Sequence, residues 1–292
     1  MESFLATYAS VFQFMLLNGL LALSVYATLC CGQLSLANAG FMCIGAFASA
    51  VLTQRASAPF PLALAAGALV PALLAVPLGF PVLRLRGVFL AIATIGFGEM
   101  VRVFFVNWDY TNGALGLVAI PQHTTTLLLV ASVAAVTFFF ARLRGSRIGY
   151  ALEALREDEP AASTLGIDPA RYKLAMFVLG AAIAGLAGAL EAHLTFMVAP
   201  SGYGFGRAVD MLVWAVVGGI SRVGGPLLGA FFLTALPEAL RAAGHAVGLA
   251  PGPLRMGVNG LILLAVVLFL PNGLVAAPAA VRALLRRRKA RT

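Results

Sequence analysis

The chain alternates between long apolar runs and short polar breaks. The runs fall at about residues 8–30, 37–54, 61–83, 88–107, 124–142, 172–197, 208–221, 226–243 and 254–270. Most are roughly 17–25 residues long, the length a helix needs to cross a bilayer. The seventh run is short. Gly218-Gly219 and Gly224-Gly225, followed by Pro226, bracket its end. That punctuation predicts a broken or re-entrant helix, which is tolerated at membrane depth only where protein or a water-filled cavity covers its backbone. The pattern predicts an all-α membrane protein, a polytopic helical bundle of 8–9 transmembrane segments.

Composition agrees with the pattern. The 292 residues are 61% hydrophobic and 11% charged, with a mean hydropathy of +0.96. A soluble domain carries about 25% charged residues, so residues 1–292 read as one membrane unit. The opening MESFLATYAS has no basic region ahead of its apolar run, and that run is too long for a signal peptide. It predicts a true first span. Cys30, Cys31 and Cys43 lie in apolar segments without metal-ligand spacing. They read as small packing residues.

Charge position sets the expected orientation. Arg142, Arg144, Arg147, Arg156, Arg171 and Lys173 surround the break between the fifth and sixth runs. Arg282, Arg286, Arg287, Arg288, Lys289 and Arg291 fill the tail at 281–292. Arg84 and Arg86 follow the third run and Arg222 the seventh. With nine spans all of these, fifteen of the 20 Lys and Arg, fall on one face. The positive-inside rule makes that face cytoplasmic and places the N-terminus outside. A basic tail beside a span is an orientation signal or an anionic-lipid contact before it is a nucleic-acid patch, so no nucleic-acid partner is expected.

The insert at 144–172 stands apart. RGSRIGYALEALREDEPAASTLGIDPARYK, residues 144–173, carries ten charges amid apolar surroundings. Ser146 suits a helix N-cap, and Ile148, Leu152, Leu155, Ala162 and Leu165 return at near-helical spacing. Pro160 predicts a kink or a break into two short helices, and Gly166 a stop. Asp168 and Pro169 then start a helix as N-cap and first-turn residue. This describes either a solvated loop with some helix or a docking element for a partner on the cytoplasmic side.

Polar residues inside the runs are the candidates for a translocation path. In GQLSLANAGF (32–41), Gln33, Ser35 and Asn38 can line a path or glue helices together. Charge within a span is expensive. Glu99 and Arg102 are one turn apart and can pair, and Asp210 opens the seventh run near Arg207. Glu191 and His193 sit toward the outer end of the sixth run, where His193 reads as a polar packing residue. Gly40 and Gly45 suggest close helix packing. The loop at 106–124, with Trp108 and Tyr110, suits an interface anchor. The polar, Gly-rich stretches before the second and seventh runs suggest a weak internal repeat.

No enzyme chemistry assembles. The chain has no G-x-x-x-x-G-K-[ST] and no H-E-x-x-H, and its three histidines are scattered. Three classes remain: a permease driven by separate ATPases, a stand-alone ion-coupled carrier, or a structural membrane protein.

PAASTLG (160–166) resembles the E-A-A-x-x-x-G coupling motif of ABC importer permeases. Pro160 stands where that motif has Glu, and the trailing L-P is absent. ALREDEPAASTLGIDPARYKLAMFVLGAAIAGLAGAL (154–190), GQLSLANAGFMCIGAFASA (32–50), GVFLAIATIGFGEMVRVFFVNWDYTNGALGLVAIP (87–121) and VVGGISRVGGPLLGA (216–230) resemble the branched-chain amino acid (Liv-type) permeases, the M-type subunit above all. The resemblance implies one permease domain with a cytoplasmic coupling helix. Arg156, Glu159, Pro160, Ala161, Ala162, Leu165, Gly166 and Ile167 would meet the ATPase. It implies a second permease subunit, two cytoplasmic ATPases that bind ATP and Mg, a periplasmic binding protein and a bacterial inner-membrane location. This chain would hold no cofactor of its own. The cargo would be a branched-chain or related small amino acid; the family also serves urea and short amides.

Overall fold

The computed structural model describes residues 2–85 and 87–247, with side chains described for 9–85 and 87–238. The predicted ninth span, the basic tail, Arg86 and the side chains of Arg241 and His245 lie outside the described residues.

Ten α-helices account for most of the described chain: α1 (Glu2–Leu29), α2 (Asn38–Gln54), α3 (Phe60–Val82), α4 (Val88–Val106), α5 (Thr126–Arg144), α6 (Arg147–Glu157), α7 (Glu159–Thr164), α8 (Pro169–Thr195), α9 (Phe205–Gly218) and α10 (Gly224–Val247). Among the described residues, five segments are long and apolar enough to cross a membrane: 9–29, α3, α4, α5 and α8. At 17 residues, α2 is apolar but shorter.

The core is built from the second half of α1, α2 and α8. From Leu16 to Thr28 the α1 side chains are buried on every side, as expected of a helix surrounded by other helices. By contrast α3, α4 and α5 expose Leu69, Leu73, Phe80, Phe89, Ile92, Leu127 and Phe138. Exposed apolar faces on long apolar helices are the surface a bilayer solvates. Between α3 and α4, which touch only sparsely, lies an apolar groove of about 880 Å³ lined by Phe47, Leu74, Phe97, Met100 and Phe104.

Backbones make the tightest contacts. A Cβ at Gly45 of α2 would run into the backbone of Gly185 on α8 and lie 2.6 Å from the Gly67 carbonyl of α3. Without side chains at these positions the three helices close directly on one another. Pro71 of α3 packs into the same seam against Gly185. The expectation of close packing at Gly40 is also met, since a Cβ there would stand 3.0 Å from the Cα of Gly98 on α4.

The short seventh run is α9. Its 14 residues give a rise of about 21 Å, short of the hydrocarbon core. Gly219 (φ 96°) turns the chain into α10. Gly218, Gly225 and Gly229 then let the two helices pack backbone to backbone.

The bundle has two distinct ends. At one, the insert packs beside the α1–α2 break, where Gly32 (φ 77°) lies against the backbone of Arg156. At the other, β1 (Leu117–Val118) pairs antiparallel with β2 (Met197–Val198). There Gln54 donates to the Val118 carbonyl at 2.7 Å and Thr124 to the Leu190 carbonyl at 3.0 Å, tying this small ledge to α2 and α8.

Candidate functional site

The insert folds as local chemistry dictates. Ser146 Oγ accepts from the Gly149 N–H at 3.4 Å and donates to the Leu143 carbonyl at 2.6 Å, capping α6. Gly149 permits the tight α5–α6 corner, because a Cβ there would run into the Leu143 and Arg144 carbonyls. The helix breaks at Asp158, two residues before the proline. Asp158 Oδ1 accepts from the Ala161 N–H at 3.0 Å, and Pro160 occupies the first turn of the new helix, where its missing N–H is no loss. After α7, Gly166 takes φ 82°, a left-handed value that glycine adopts without strain. Asp168 Oδ1 then caps α8 through the Ala170 N–H at 3.0 Å.

Two insert residues depart from the expected face. The spacing groups Ile148 and Leu165 with Leu152, Leu155 and Ala162, but only the last three are buried. The break at Asp158 rotates α7 relative to α6, so the phase of α6 does not carry through to Leu165. Ile148 lies in the first turn of α6 itself and is exposed there. Leu165 is 79% exposed, whereas Ala162 is 2% exposed and turned toward its own chain. Ala161 and Pro160 face outward with Gly166. Arg156 pairs with exposed Glu157 at 3.1 Å. Lys173 of α8 holds Glu159 of α7 at 2.8 Å, and the Ile167 N–H donates to the Ala162 carbonyl at 3.2 Å. The result is a short exposed helix fixed to the start of the long α8.

Gln33, Ser35 and Asn38 knit the α1–α2 break. Asn38 Nδ2 donates to Ser24 Oγ at 2.9 Å, and Ser35 Oγ accepts from the Ala37 N–H at 3.3 Å. Gln33 Oε1 meets the Cys31 thiol at 3.5 Å. Thr94 of α4 accepts from the Leu36 N–H at 3.0 Å. Backbone groups freed by the break thus find partners, as groups at membrane depth must.

The other candidates gather elsewhere. Arg102 Nε donates to Glu99 Oε2 at 2.6 Å. The second Glu99 oxygen accepts from the Phe205 N–H at 2.9 Å, so a carboxylate of α4 caps α9. Gly204, the residue before α9, has no side chain to do so. Arg207 bonds Glu191 of α8 at 2.9 Å. Asp210 is exposed in α9, one turn beyond Arg207. The six path candidates therefore form two groups. Neither the Glu99–Phe205 bond nor the Glu191–Arg207 pair was read from the sequence. The second had one available signal, two opposite charges in neighbouring apolar runs.

His193 is a satisfied core histidine. Its Nδ1 lies 2.9 Å from the Pro121 carbonyl, which can only accept, so Nδ1 carries the proton. Nε2 then accepts from Ser49 Oγ at 3.0 Å. Beside Glu191, burial pushes the Tyr203 phenol well above its ordinary range. Among the described residues no three His, Cys, Asp or Glu side chains cluster to hold a metal, and all three cysteines are free thiols.

The sequence pattern of the family described as "Branched-chain amino acid transport system / permease component" matches residues 7–267. The chain belongs to that family. Its relatives include LivM of Salmonella typhimurium, a high-affinity branched-chain amino acid transport system permease protein, at 36% identity over 72% of this chain and 58% of LivM. LivM of Escherichia coli is 35% identical over the same shares. Escherichia coli LivH, the other permease protein of that name, is 31% identical over 54% of this chain and 48% of LivH. The chain thus spans 58% of the length of the LivM relatives it matches. No solved structure matches it significantly. As a family member the chain is a multi-pass membrane protein of the permease type.

Proposed function

We propose that this chain is the membrane-spanning permease subunit of an ATP-driven ABC importer. It would pass branched-chain or related small amino acids, delivered by a periplasmic binding protein, across a bacterial inner membrane. One observation carries the reading: an exposed helix is capped by Asp158, turned by Gly166 and pinned to α8 by Lys173. A permease without ATP chemistry must receive work through a stiff element, and a carrier working alone has no use for one. The LivM and LivH likeness supports the same reading and supplies the cargo class.

In this reading two cytoplasmic ATPases, holding ATP and Mg, seat on α7 through Arg156, Glu159, Pro160, Ala161, Leu165, Gly166 and Ile167. Ala162 packs inward and sets the height of the helix. The insert end is cytoplasmic, the N-terminus lies outside and the basic tail meets anionic lipid. A second permease subunit completes the path, to which Gln33, Ser35, Asn38, Glu99, Arg102 and Asp210 contribute. The same geometry serves urea or short amides, which a substrate panel separates.

The test is co-purification of this chain with the ATPases and second permease from the same source. Nothing lies within 4 Å of a Cβ at Gly166, so Gly166→Trp meets no clash at Cβ, though φ 82° strains any side chain there. An unfolding measurement of the variant separates that strain from lost docking. ATPases retained by the native chain and lost by the variant support the reading. Failure of the native chain to retain any ATPase overturns it and favours the stand-alone carrier.

A further inference from the structure

The far end of α8 holds a charge pair that the importer reading leaves without a task. Arg207 Nη2 donates to Glu191 Oε1 at 2.9 Å, with the two side chains only 21% and 16% exposed. The buried Tyr203 side chain lies beside Glu191. The Arg207 guanidinium lies 5.6 Å from the centre of the Trp214 ring. The pair joins α8 to the first turn of α9. On its other side that turn is capped by Glu99 of α4.

Adhesion alone does not account for such a pair. Taking two charges out of water is expensive, and well-packed apolar residues often hold helices together as well or better. What the pair supplies is a fixed register between two helices. The register matters because of what α8 is: 27 residues without an interior proline, about 40 Å long. At its start Lys173 clamps it to α7, and near its end it carries Glu191.

We propose that Glu191–Arg207 is the positioning link that passes a displacement of α7 and α8 to the first turn of α9, with Glu99 holding that turn against α4. The link deepens the importer reading and rests on it. The short α9, hinged at Gly219, is the element that moves, and α8 is the rod that moves it.

The experiment uses the complete complex in proteoliposomes with its binding protein. Glu191→Gln keeps the shape and removes the charge. Glu191→Leu with Arg207→Leu keeps adhesion and removes the register. Subunit assembly, ATP hydrolysis, amino acid uptake and the half-saturating substrate concentration are measured. Expected in both variants are intact assembly, continued hydrolysis, unchanged half-saturation and about a tenfold fall in uptake per ATP. Arg207→Lys, which keeps the charge, recovers part of the ratio.

A double-leucine variant that couples like the native complex shows that the pair only holds helices together and overturns the link. So does uptake that falls only in step with assembly. Should the double variant fail to fold, Glu191→Gln decides by the same criteria. A native complex without ATP-driven uptake refutes the importer reading and the link together, whereas a coupled leucine variant refutes the link alone.

Discussion

One methyl group placed at Gly45, Gly96 or Gly166 separates helix packing from backbone conformation. At Gly45 the new Cβ meets the Gly185 backbone and lies 2.6 Å from the Gly67 carbonyl, about 0.8 Å short of ordinary contact. Those obstacles are backbone on two other helices, so no rotamer change relieves them. Overpacking costs about 1–3 kcal/mol in typical cores, and Gly45→Ala belongs at the upper end, about 3 kcal/mol. At Gly166 the Cβ meets nothing within 4 Å, but φ is 82°. The left-handed penalty alone applies, about 1 kcal/mol. Gly96 lies inside α4 with open space around it and an ordinary helical φ. Alanine there gains about 0.5–1 kcal/mol. Thermal unfolding of the purified chain in one detergent should place Gly96→Ala above the native protein, Gly166→Ala slightly below and Gly45→Ala far below. A Gly45→Ala protein that melts with the native one, or later than Gly166→Ala, would refute the close α2–α3–α8 seam.

Three other expectations follow from single contacts. Leu165→Asp should leave the melting temperature unchanged, because the side chain is exposed, yet lose the ATPases in a pull-down. Asp158→Ala removes the cap of α7, worth about 1 kcal/mol. Amide exchange should then quicken over residues 161–164 while α8 keeps its protection; equal exchange in both proteins would show that the cap is idle. Ser49→Ala takes one buried donor from His193 Nε2 but leaves Thr53 Oγ1 at 3.3 Å to replace it, so it should destabilise by only about 0.5–1.5 kcal/mol, measured as a lowered unfolding temperature.

Local signals were legible in the sequence because their causes are local. Apolar runs placed α1 to α5 and α8 to within a few residues. The cap at Ser146, the turn at Gly166 and the restart at Asp168 each follow from one residue's own chemistry. Pro160 announced a break but not its position, since the deciding bond comes from Asp158. The exposure of Leu165 is not legible because a single helical phase does not cross that break, and that of Ile148, in the first turn of α6, depends on which neighbours cover the helix start. Glu191 and Arg207 stand sixteen positions apart on different helices, beyond any helical spacing rule. The partner of Glu99 at Phe205 is a backbone N–H, and every residue but proline carries one.

The glycine seam also dictates a schedule. Gly45 and Gly67 are synthesised early, whereas Gly185, which both of them face, arrives more than a hundred residues later. At a translation rate of about 5–20 residues per second, α2 and α3 wait on the order of 10 s for α8. Through that interval α2 stands at 17 residues without its central neighbour. Its Asn38 also lacks Gly180 of α8, whose bare face later lies against the amide. Until α8 is inserted this seam stays uncovered, and a truncation just before residue 169 should leave α2 open to quality-control proteolysis.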